Sequence, residues 1–237
     1  DGGVTWTRAD GGGWPTGPLG RIGVAVSPRD GGSRVWAVVD ADEGGGLYRS
    51  DDGGRSWLHV NAEPELVNGY FARLTAIPGN PDAVYAMSRS LHLCTSGGTT
   101  CDIVKGAPGG DDYHDLWIDP DRPERMAAGA DQGTALTVNG GRTWTDWYNL
   151  PTGQLYKIHT DDVFPYRIYA GQQDNGTVRI TSRSDYGSIT YRDWEPVGAD
   201  ERDYDIPDPR DPDIVYGSGL GGRLTRWNAR NGEMQNI

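Results

Sequence analysis

The 237-residue sequence is poor in cysteine, phenylalanine and methionine, with two, two and three copies. It contains no run of about 20 apolar residues, the length that a transmembrane helix requires. Basic residues are also outnumbered, since 22 Lys and Arg stand against 34 Asp and Glu for a net charge of −12. This deficit argues against charge-driven binding to nucleic acid or to an anionic membrane. We therefore expect no nucleic-acid partner and no membrane span.

The two cysteines lie close together in the sequence, at Cys94 and Cys101. They flank a short predicted hairpin, which places them opposite each other on antiparallel strands, within reach of a disulfide. A reactive or metal-binding pair is the less favoured alternative, because no cluster of His and Cys completes a metal site. We predict a disulfide, no metal and no cofactor, and hence a secreted or extracytoplasmic protein.

Turn-forming and aromatic residues are abundant, with 36 Gly, 15 Pro, 12 Tyr and 9 Trp. Several of the Gly and Trp residues fall in a motif of the form (Ser/Thr)-x-(Asp/Asn)-x-Gly-x-(Ser/Thr)-Trp. Full copies span Ser50–Trp57 and Thr137–Trp144, and a truncated copy spans Asp1–Trp6. Asp or Asn before Gly favours a tight turn, because glycine adopts positive φ freely and the acidic or amide oxygen accepts backbone N–H groups. The pattern predicts recurring hairpins.

The motif resembles the Asp box, or BNR repeat, of secreted glycosidase-like and sortilin-like β-propellers. The resemblance implies an all-β propeller with about five four-stranded blades. A variant copy at Cys94–Cys101 has Cys in place of Trp and fits a repeat of roughly 40–45 residues. The expected blades lie near residues 15–60, 70–105, 113–149, 154–197 and 203–237, and residues 4–9 are expected to form a strand of a preceding blade.

We expect residues 1–237 to be one propeller domain or a fragment of one. The first residue falls inside a copy of the motif, so we also expect the rest of a longer propeller chain, or a sheet elsewhere in the assembly, to partner the first strand.

Strand order in such a propeller brings several polar loops to one mouth of its central channel. The candidate catalytic residues there are Asp112, Asp131, Asp174 and Glu201. The candidate ligand-binding residues are Tyr113 as a stacking platform, His114, Gln132, Gln172, Gln173 and Asn175. Ordinary turn chemistry is the alternative interpretation for every one of these loops.

Two function classes fit this mouth. The favoured one is a scaffold that binds a glycan or a protein ligand through the polar loops, as the sortilin-like resemblance implies. The alternative is a glycoside hydrolase, which needs two carboxylates about 5–5.5 Å or 6.5–9.5 Å apart. A sialidase-like enzyme would also need three converging arginines, and no such triplet is evident in the loops. A xyloglucanase-like enzyme would need a cleft between two propellers, and this chain supplies at most one.

Overall fold

The computed structural model describes residues 2–29, 32–67, 70–107, 110–146, 153–173, 175–198 and 204–237. Within these ranges the chain forms five antiparallel sheets and no α-helix, only short 3-10 turns. No helix in the same ranges is long and apolar enough to cross a membrane. The chain divides into two compact units, residues 1–147 and 148–237, and each is described by itself.

Unit 1, residues 1–147, holds sheets A, B and C, in which the strands pair in chain order. Sheet A consists of β1 Leu19–Arg29, β2 Gly32–Ala41, β3 Gly46–Ser50 and β4 Leu58–Asn61. Sheet B consists of β5 Arg73–Ile77, β6 Asn80–Met87, β7 Leu91–Thr95 and β8 Thr100–Lys105. Sheet C has three strands, β9 Tyr113–Ile118, β10 Met126–Ala130 and β11 Gly133–Thr137.

The fourth strand predicted for sheet C is not assigned among the described residues. Its start is marked by one hydrogen bond, from the Thr145 backbone N–H to the Leu136 carbonyl oxygen at 2.8 Å. The remainder of the predicted strand, from residue 147 onward, lies outside the described residues.

Unit 2, residues 148–237, holds sheets D and E, again with strands paired in chain order. Sheet D consists of β12 Leu155–Thr160, β13 Arg167–Gln172, β14 Gly176–Thr181 and β15 Trp194–Val197. Sheet E consists of β16 Asp205–Asp208, β17 Asp211–Gly219, β18 Arg223–Asn228 and β19 Glu233–Asn236. The prediction of an all-β chain with five successive sheets is confirmed.

One large apolar core lies between sheets A and B. It contains Trp36, Val38, Leu47, Leu66, Ala72, Val84, Ala86 and Cys94, all buried. Sheets B and C share a second core around Tyr85, Met87, Leu91, Tyr113, Leu116, Ile118, Met126 and Ala128. The core between sheets D and E is smaller and consists of Tyr169, Val197, Val215 and Trp227. Because apolar burial is the main driving force for packing, the second strands, rich in such residues, hold neighbouring sheets together.

The Ser50–Trp57 segment forms the hairpin that its turn residues predict. The Ser50 Oγ accepts the Gly54 N–H at 2.8 Å, and Asp52 Oδ1 accepts the Arg55 and Ser56 N–H groups at 2.9 Å each. Ser56 Oγ donates to Asp52 Oδ2 at 2.6 Å. These hydrogen bonds lower the pKa of the exposed Asp52 carboxyl far below its usual range, and the bond from the Ser56 hydroxyl has the largest effect.

The Thr137–Trp144 segment repeats this hydrogen-bond pattern with an amide. Thr137 Oγ1 accepts the Gly141 N–H at 3.1 Å, and Asn139 Oδ1 accepts the Thr143 N–H at 3.0 Å. Asn139 Nδ2 donates to Thr143 Oγ1 at 2.8 Å, where Asp52 accepts a hydroxyl proton instead. The two hairpins therefore share one architecture, with the donor and acceptor roles reversed at one bond.

The variant copy at Cys94–Cys101 has a disulfide where the two full copies have side-chain hydrogen bonds. Cys94 and Cys101 pair directly across β7 and β8 and form the predicted disulfide. The turn between them packs on sheet A, because the Arg49 Nη1 donates to the Gly97 carbonyl oxygen at 2.9 Å. A Cβ on Gly98 would lie 2.7 Å from the Trp36 ring. A side chain there would push the two sheets apart.

Residues 4–9 differ from the prediction, since no strand is assigned to them. The segment is instead held by single contacts to the first hairpin. Trp57 Nε1 donates to the Ala9 carbonyl oxygen at 2.9 Å, and the Trp57 backbone N–H donates to the Gly12 carbonyl oxygen at 2.7 Å.

Candidate functional site

In unit 1, four of the predicted site residues come together where β9 begins and β10 ends. Antiparallel pairing of these strands sets Ala130 opposite Tyr113. The residues just outside the pair are therefore neighbours, and the Asp131 backbone N–H approaches the carbonyl oxygens of Asp111 and Asp112 at 3.4 and 3.3 Å. Asp112, His114, Asp131 and Gln132 thus lie at one end of sheet C, and the expectation that they line the mouth of a channel stays a prediction.

A β-bulge orients the side chains at this end. Gly129 pairs with Asp115 and Ala130 pairs with Tyr113, which leaves His114 as the extra residue of β9. A bulge changes which face of the sheet each side chain points to. His114 Nε2 lies 2.6 Å from Asp131 Oδ1, with 42% of the His114 side chain exposed and 11% of the Asp131 side chain. The largely buried carboxylate thus fixes an imidazole that remains open to solvent.

Two aromatic rings border His114. The Phe71 ring lies edge-on with its centroid 4.9 Å from the imidazole, and the Tyr70 ring lies edge-on at 6.5 Å. Phe71 is buried, whereas Tyr70 is 61% exposed. The Arg21 guanidinium lies 5.6 Å from the Tyr70 ring centroid, and its Nη1 donates to the Tyr70 carbonyl oxygen. This places an exposed aromatic ring beside an exposed imidazole, which is an arrangement suited to an amphipathic ligand.

The neighbouring loop residues are held by hydrogen bonds within the protein. Asp112 has a positive φ of 53°, and its backbone N–H donates to the Arg89 carbonyl oxygen at 3.2 Å. The Gln132 Oε1 accepts the Asp111 N–H at 2.9 Å. Gln132 therefore shapes the loop with its carbonyl oxygen, in addition to any contact with a ligand.

Tyr113 does not form the stacking platform that the sequence suggested. The bulge turns its ring inward, where it is 1% exposed and packs in the core between sheets B and C. Burial, assisted by the nearby Asp111, raises the pKa of the Tyr113 phenol to about 12. The exposed aromatic ring near His114 is Tyr70, which the sequence analysis did not single out although it opens the Tyr-Phe pair just before β5.

In unit 2, the predicted glutamines form a separate group at the end of β13. The Tyr156 hydroxyl donates to Gln173 Oε1 at 2.8 Å and accepts from Gln154 Nε2 at 2.9 Å. The Asn175 Nδ2 donates to the Gln173 carbonyl oxygen at 3.3 Å. Gln172 ends β13, with its Oε1 2.5 Å from the place where a Cβ on Gly153 would lie.

Two candidate catalytic residues, Asp174 and Glu201, lie outside the described residues. The described candidate residues therefore form one group around His114 and Asp131 in unit 1 and another around Gln172 and Gln173 in unit 2. Across the described ranges, no three His, Cys, Asp or Glu side chains are grouped so that they could hold a metal ion.

A comparison with known proteins finds no family model that matches the chain. A xyloglucanase from Paenibacillus sp. is 29% identical over 188 residues, which are 73% of this chain and 17% of the enzyme. The chain thus spans about a sixth of the length of that relative.

Solved structures with a similar fold include a GH74 enzyme from Niastella koreensis and YCF48 from Cyanidioschyzon merolae. The GH74 structure has a TM-score of 0.47 and 15% identity, covering 90% of this chain and 37% of its own. The YCF48 structure has a TM-score of 0.40 and 15% identity, covering 92% of this chain and 71% of its own.

Proposed function

We propose that the protein is an Asp-box β-propeller, or part of a longer one, that binds a glycan through the His114–Asp131 site of unit 1. The Asp-box assignment is supported by the matching hydrogen bonds in the Ser50–Trp57 and Thr137–Trp144 hairpins. The five successive sheets are the blades of this propeller. The disulfide between Cys94 and Cys101 supports a secreted or extracytoplasmic location.

The observation that carries the binding proposal is the exposed Tyr70 ring beside the His114–Asp131 pair. Sugar rings present C–H faces that pack on aromatic rings, and hydroxyl groups that both donate and accept hydrogen bonds. Tyr70 is 61% exposed and supplies the apolar surface. The His114 imidazole supplies a polar group whose orientation Asp131 fixes at 2.6 Å. Acidic peptides are disfavoured by the net charge of −12, since like charges repel.

A glycoside hydrolase is the second candidate, and one observation favours it: the 29% identical relative is a xyloglucanase. Hydrolysis requires a proton-donating carboxyl with a raised pKa beside an ionised partner. In unit 1 the Asp131 carboxylate is instead engaged with His114, an arrangement that orients an imidazole. Binding without turnover therefore accounts better for this site, and the carboxylates Asp112 and Asp131 remain the residues to test for catalysis.

The experiment measures binding and cleavage of xyloglucan oligosaccharides, sialosides and β-glucans by the same protein. We expect calorimetric binding of at least one glycan with no new reducing ends. Tyr70→Ala should weaken binding about tenfold or more, because a stacked aromatic contact contributes on the order of 1–2 kcal/mol. Tyr166→Ala is the matched control, since Tyr166 is a similarly exposed tyrosine of unit 2.

Cleavage that disappears in Asp112→Asn or Asp131→Asn would replace the binding proposal by the hydrolase. Binding of a protein ligand alone, with no glycan bound, would support a binding scaffold and would contradict the proposal that its ligand is a glycan.

A further inference from the structure

A cavity of unit 1 lies beside the His114–Asp131 pair, on the other side of the loop that contains Asp111. Its volume is about 650 Å³. It opens between the 3-10 turn at Pro64–Leu66, the turn that joins β6 to β7, and the end of β8. Its lining includes Glu65, Ser88, Arg89, His92, Ile103 and Asp111.

The wall of this cavity contains a buried imidazole without a hydrogen-bond partner. His92 is 2% exposed, and among the described residues neither Nδ1 nor Nε2 has a partner within hydrogen-bond geometry, although the Ser90 backbone and Glu65 lie nearby. The nearest carboxylate is that of Glu65, whose Oε2 lies 3.9 Å from His92 Nε2, beyond hydrogen-bond distance. Buried polar atoms are satisfied in nearly all folded proteins, so an unsatisfied pair of ring nitrogens needs an explanation.

The protonation state of His92 narrows the ligand chemistry. Burial lowers the pKa of the imidazole, against the weaker opposing effect of the nearby Ser90 backbone, Glu65 and Glu63. A neutral imidazole has one N–H donor and one acceptor nitrogen. A hydroxyl group is the complementary partner, because it both donates and accepts.

The remaining lining residues disfavour an anionic ligand, because the carboxylates of Glu65 and Asp111 lie on the same cavity. Arg89 is near a carboxylate already, with its Nη2 3.6 Å from Asp111 Oδ2. Glu65 is 68% exposed at the cavity edge and is an acceptor only. Its Oε2 and His92 Nε2 are close enough for one hydroxyl oxygen to lie within about 2.8 Å of both. The half-exposed Ile103 offers an apolar surface on the same cavity.

We infer that this cavity is a binding site for a neutral polyhydroxylated ligand of sugar size, held by a hydroxyl group between His92 and Glu65. The ligand hydroxyl accepts the Nε2–H of the neutral imidazole and donates its own proton to the Glu65 carboxylate, while the C–H groups of the ligand pack on Ile103. The site shares no residue with Tyr70, His114 and Asp131, so a titration can distinguish the two sites by which histidine ring responds.

The test is a nuclear magnetic resonance titration of the intact chain with D-glucose, D-xylose and D-galactose, following the ring nitrogens of the histidines. We expect at least one sugar to shift the His92 ring nitrogens saturably. Glu65→Gln should weaken that binding about tenfold, since a hydrogen bond to a charged group is lost. Glu63→Gln is the matched control, because it makes the same change two residues away from a side chain that does not line the cavity.

Three results would overturn the inference. One is the absence of any saturable shift at His92 up to the solubility limit of all three sugars. Another is binding that Glu65→Gln leaves unchanged. The last is a set of shifts confined to His114, which would leave the proposed function intact and remove this cavity as a site. Glu65 is exposed, so its substitution does not threaten folding, and the test does not depend on replacing His92.

Discussion

The junction between sheets A and B in unit 1 and the junction between sheets D and E in unit 2 use the same contact. In each, an arginine near the start of the second strand reaches the next sheet. Arg34 Nη1 donates to the Pro81 carbonyl oxygen at 3.1 Å and pairs with Asp82. Arg167 Nη2 donates to the Pro212 carbonyl oxygen at 3.1 Å, and its Nη1 lies 3.3 Å from Asp213 Oδ1. The repeat thus conserves an arginine that meets a Pro-Asp pair.

The ring that follows each arginine by two residues also plays the same part. Trp36 Nε1 donates to Ser27 Oγ at 3.2 Å, and the Tyr169 hydroxyl donates to Asp161 Oδ2 at 2.9 Å. Ser27 and Asp161 each lie near the end of the first strand of their sheet. The difference is one of charge, because a neutral hydroxyl accepts in sheet A and a carboxylate accepts in sheet D.

The partners around the two arginines differ in burial. Arg34 pairs with Asp51 and Asp82, whose side chains are 36% and 74% exposed. Arg167 pairs with Asp161, whose side chain is 2% exposed, and with Asp213, whose side chain is 37% exposed. The A–B junction adds a large apolar core and a disulfide, whereas the D–E core has four buried residues. The A–B junction therefore has the larger apolar core, whereas in unit 2 a buried ion pair within sheet D holds the arginine that reaches sheet E.

The largest expected effect is that of Arg167→Met. It leaves the Asp161 carboxylate buried without its cation, which costs about 3–5 kcal/mol of unfolding free energy. Hydrogen exchange read by mass spectrometry should show the loss in peptides of unit 2. The double variant Arg167→Met with Asp161→Asn should recover part of it. Equal exchange in wild type and Arg167→Met would show that this ion pair does not stabilise unit 2.

Replacing both Cys94 and Cys101 by Ser should have the next largest effect. The closed loop is short, so its loss costs about 2 kcal/mol in the chain-entropy account. Urea unfolding should report this change, and wild-type protein treated with reductant should match the variant. The same reductant should leave the exchange of unit 2 peptides unchanged, since the chain has no other cysteine.

Arg34→Met is expected to be milder than its counterpart in unit 2. Its carboxylate partners remain in contact with water when the guanidinium is removed, so the loss is about 1 kcal/mol. Urea unfolding of Arg34→Met and Arg167→Met under the same conditions makes the comparison direct. A larger loss for Arg34→Met would reverse the assignment of the two junctions.

Acid should also destabilise unit 2 more than unit 1. Burial opposes ionisation of Asp161, but hydrogen bonds from Arg167 and Tyr169 outweigh it and lower the pKa of the carboxyl. A lowered folded-state pKa gives stability that is present above the unfolded value of about 3.9 and is lost as the pH falls through the folded value. Unit 2 peptides should therefore lose exchange protection below about pH 4, and Asp161→Asn should reduce that dependence.

The five sheets and the disulfide were predictable because their signals are local. Gly54, Gly141 and the Cys94–Cys101 spacing specify tight hairpins within a few residues of sequence. The inward turn of Tyr113 was not predictable, because it depends on a bulge that only the pairing of β9 with β10 reveals. The same limit hid the His92 cavity, whose walls come from loops that lie apart in the sequence. The sequence predicted that the loops of His114 and Asp131 lie at the same mouth, but it did not predict a contact between the two side chains.

The most direct test of the central claim is a crystal structure of the protein grown with a xyloglucan heptasaccharide. The account predicts an intact oligosaccharide with one sugar ring stacked on Tyr70 and a hydroxyl group hydrogen-bonded to His114 or Asp131. An oligosaccharide bound only elsewhere, or cleaved beside Asp112 and Asp131, would contradict it.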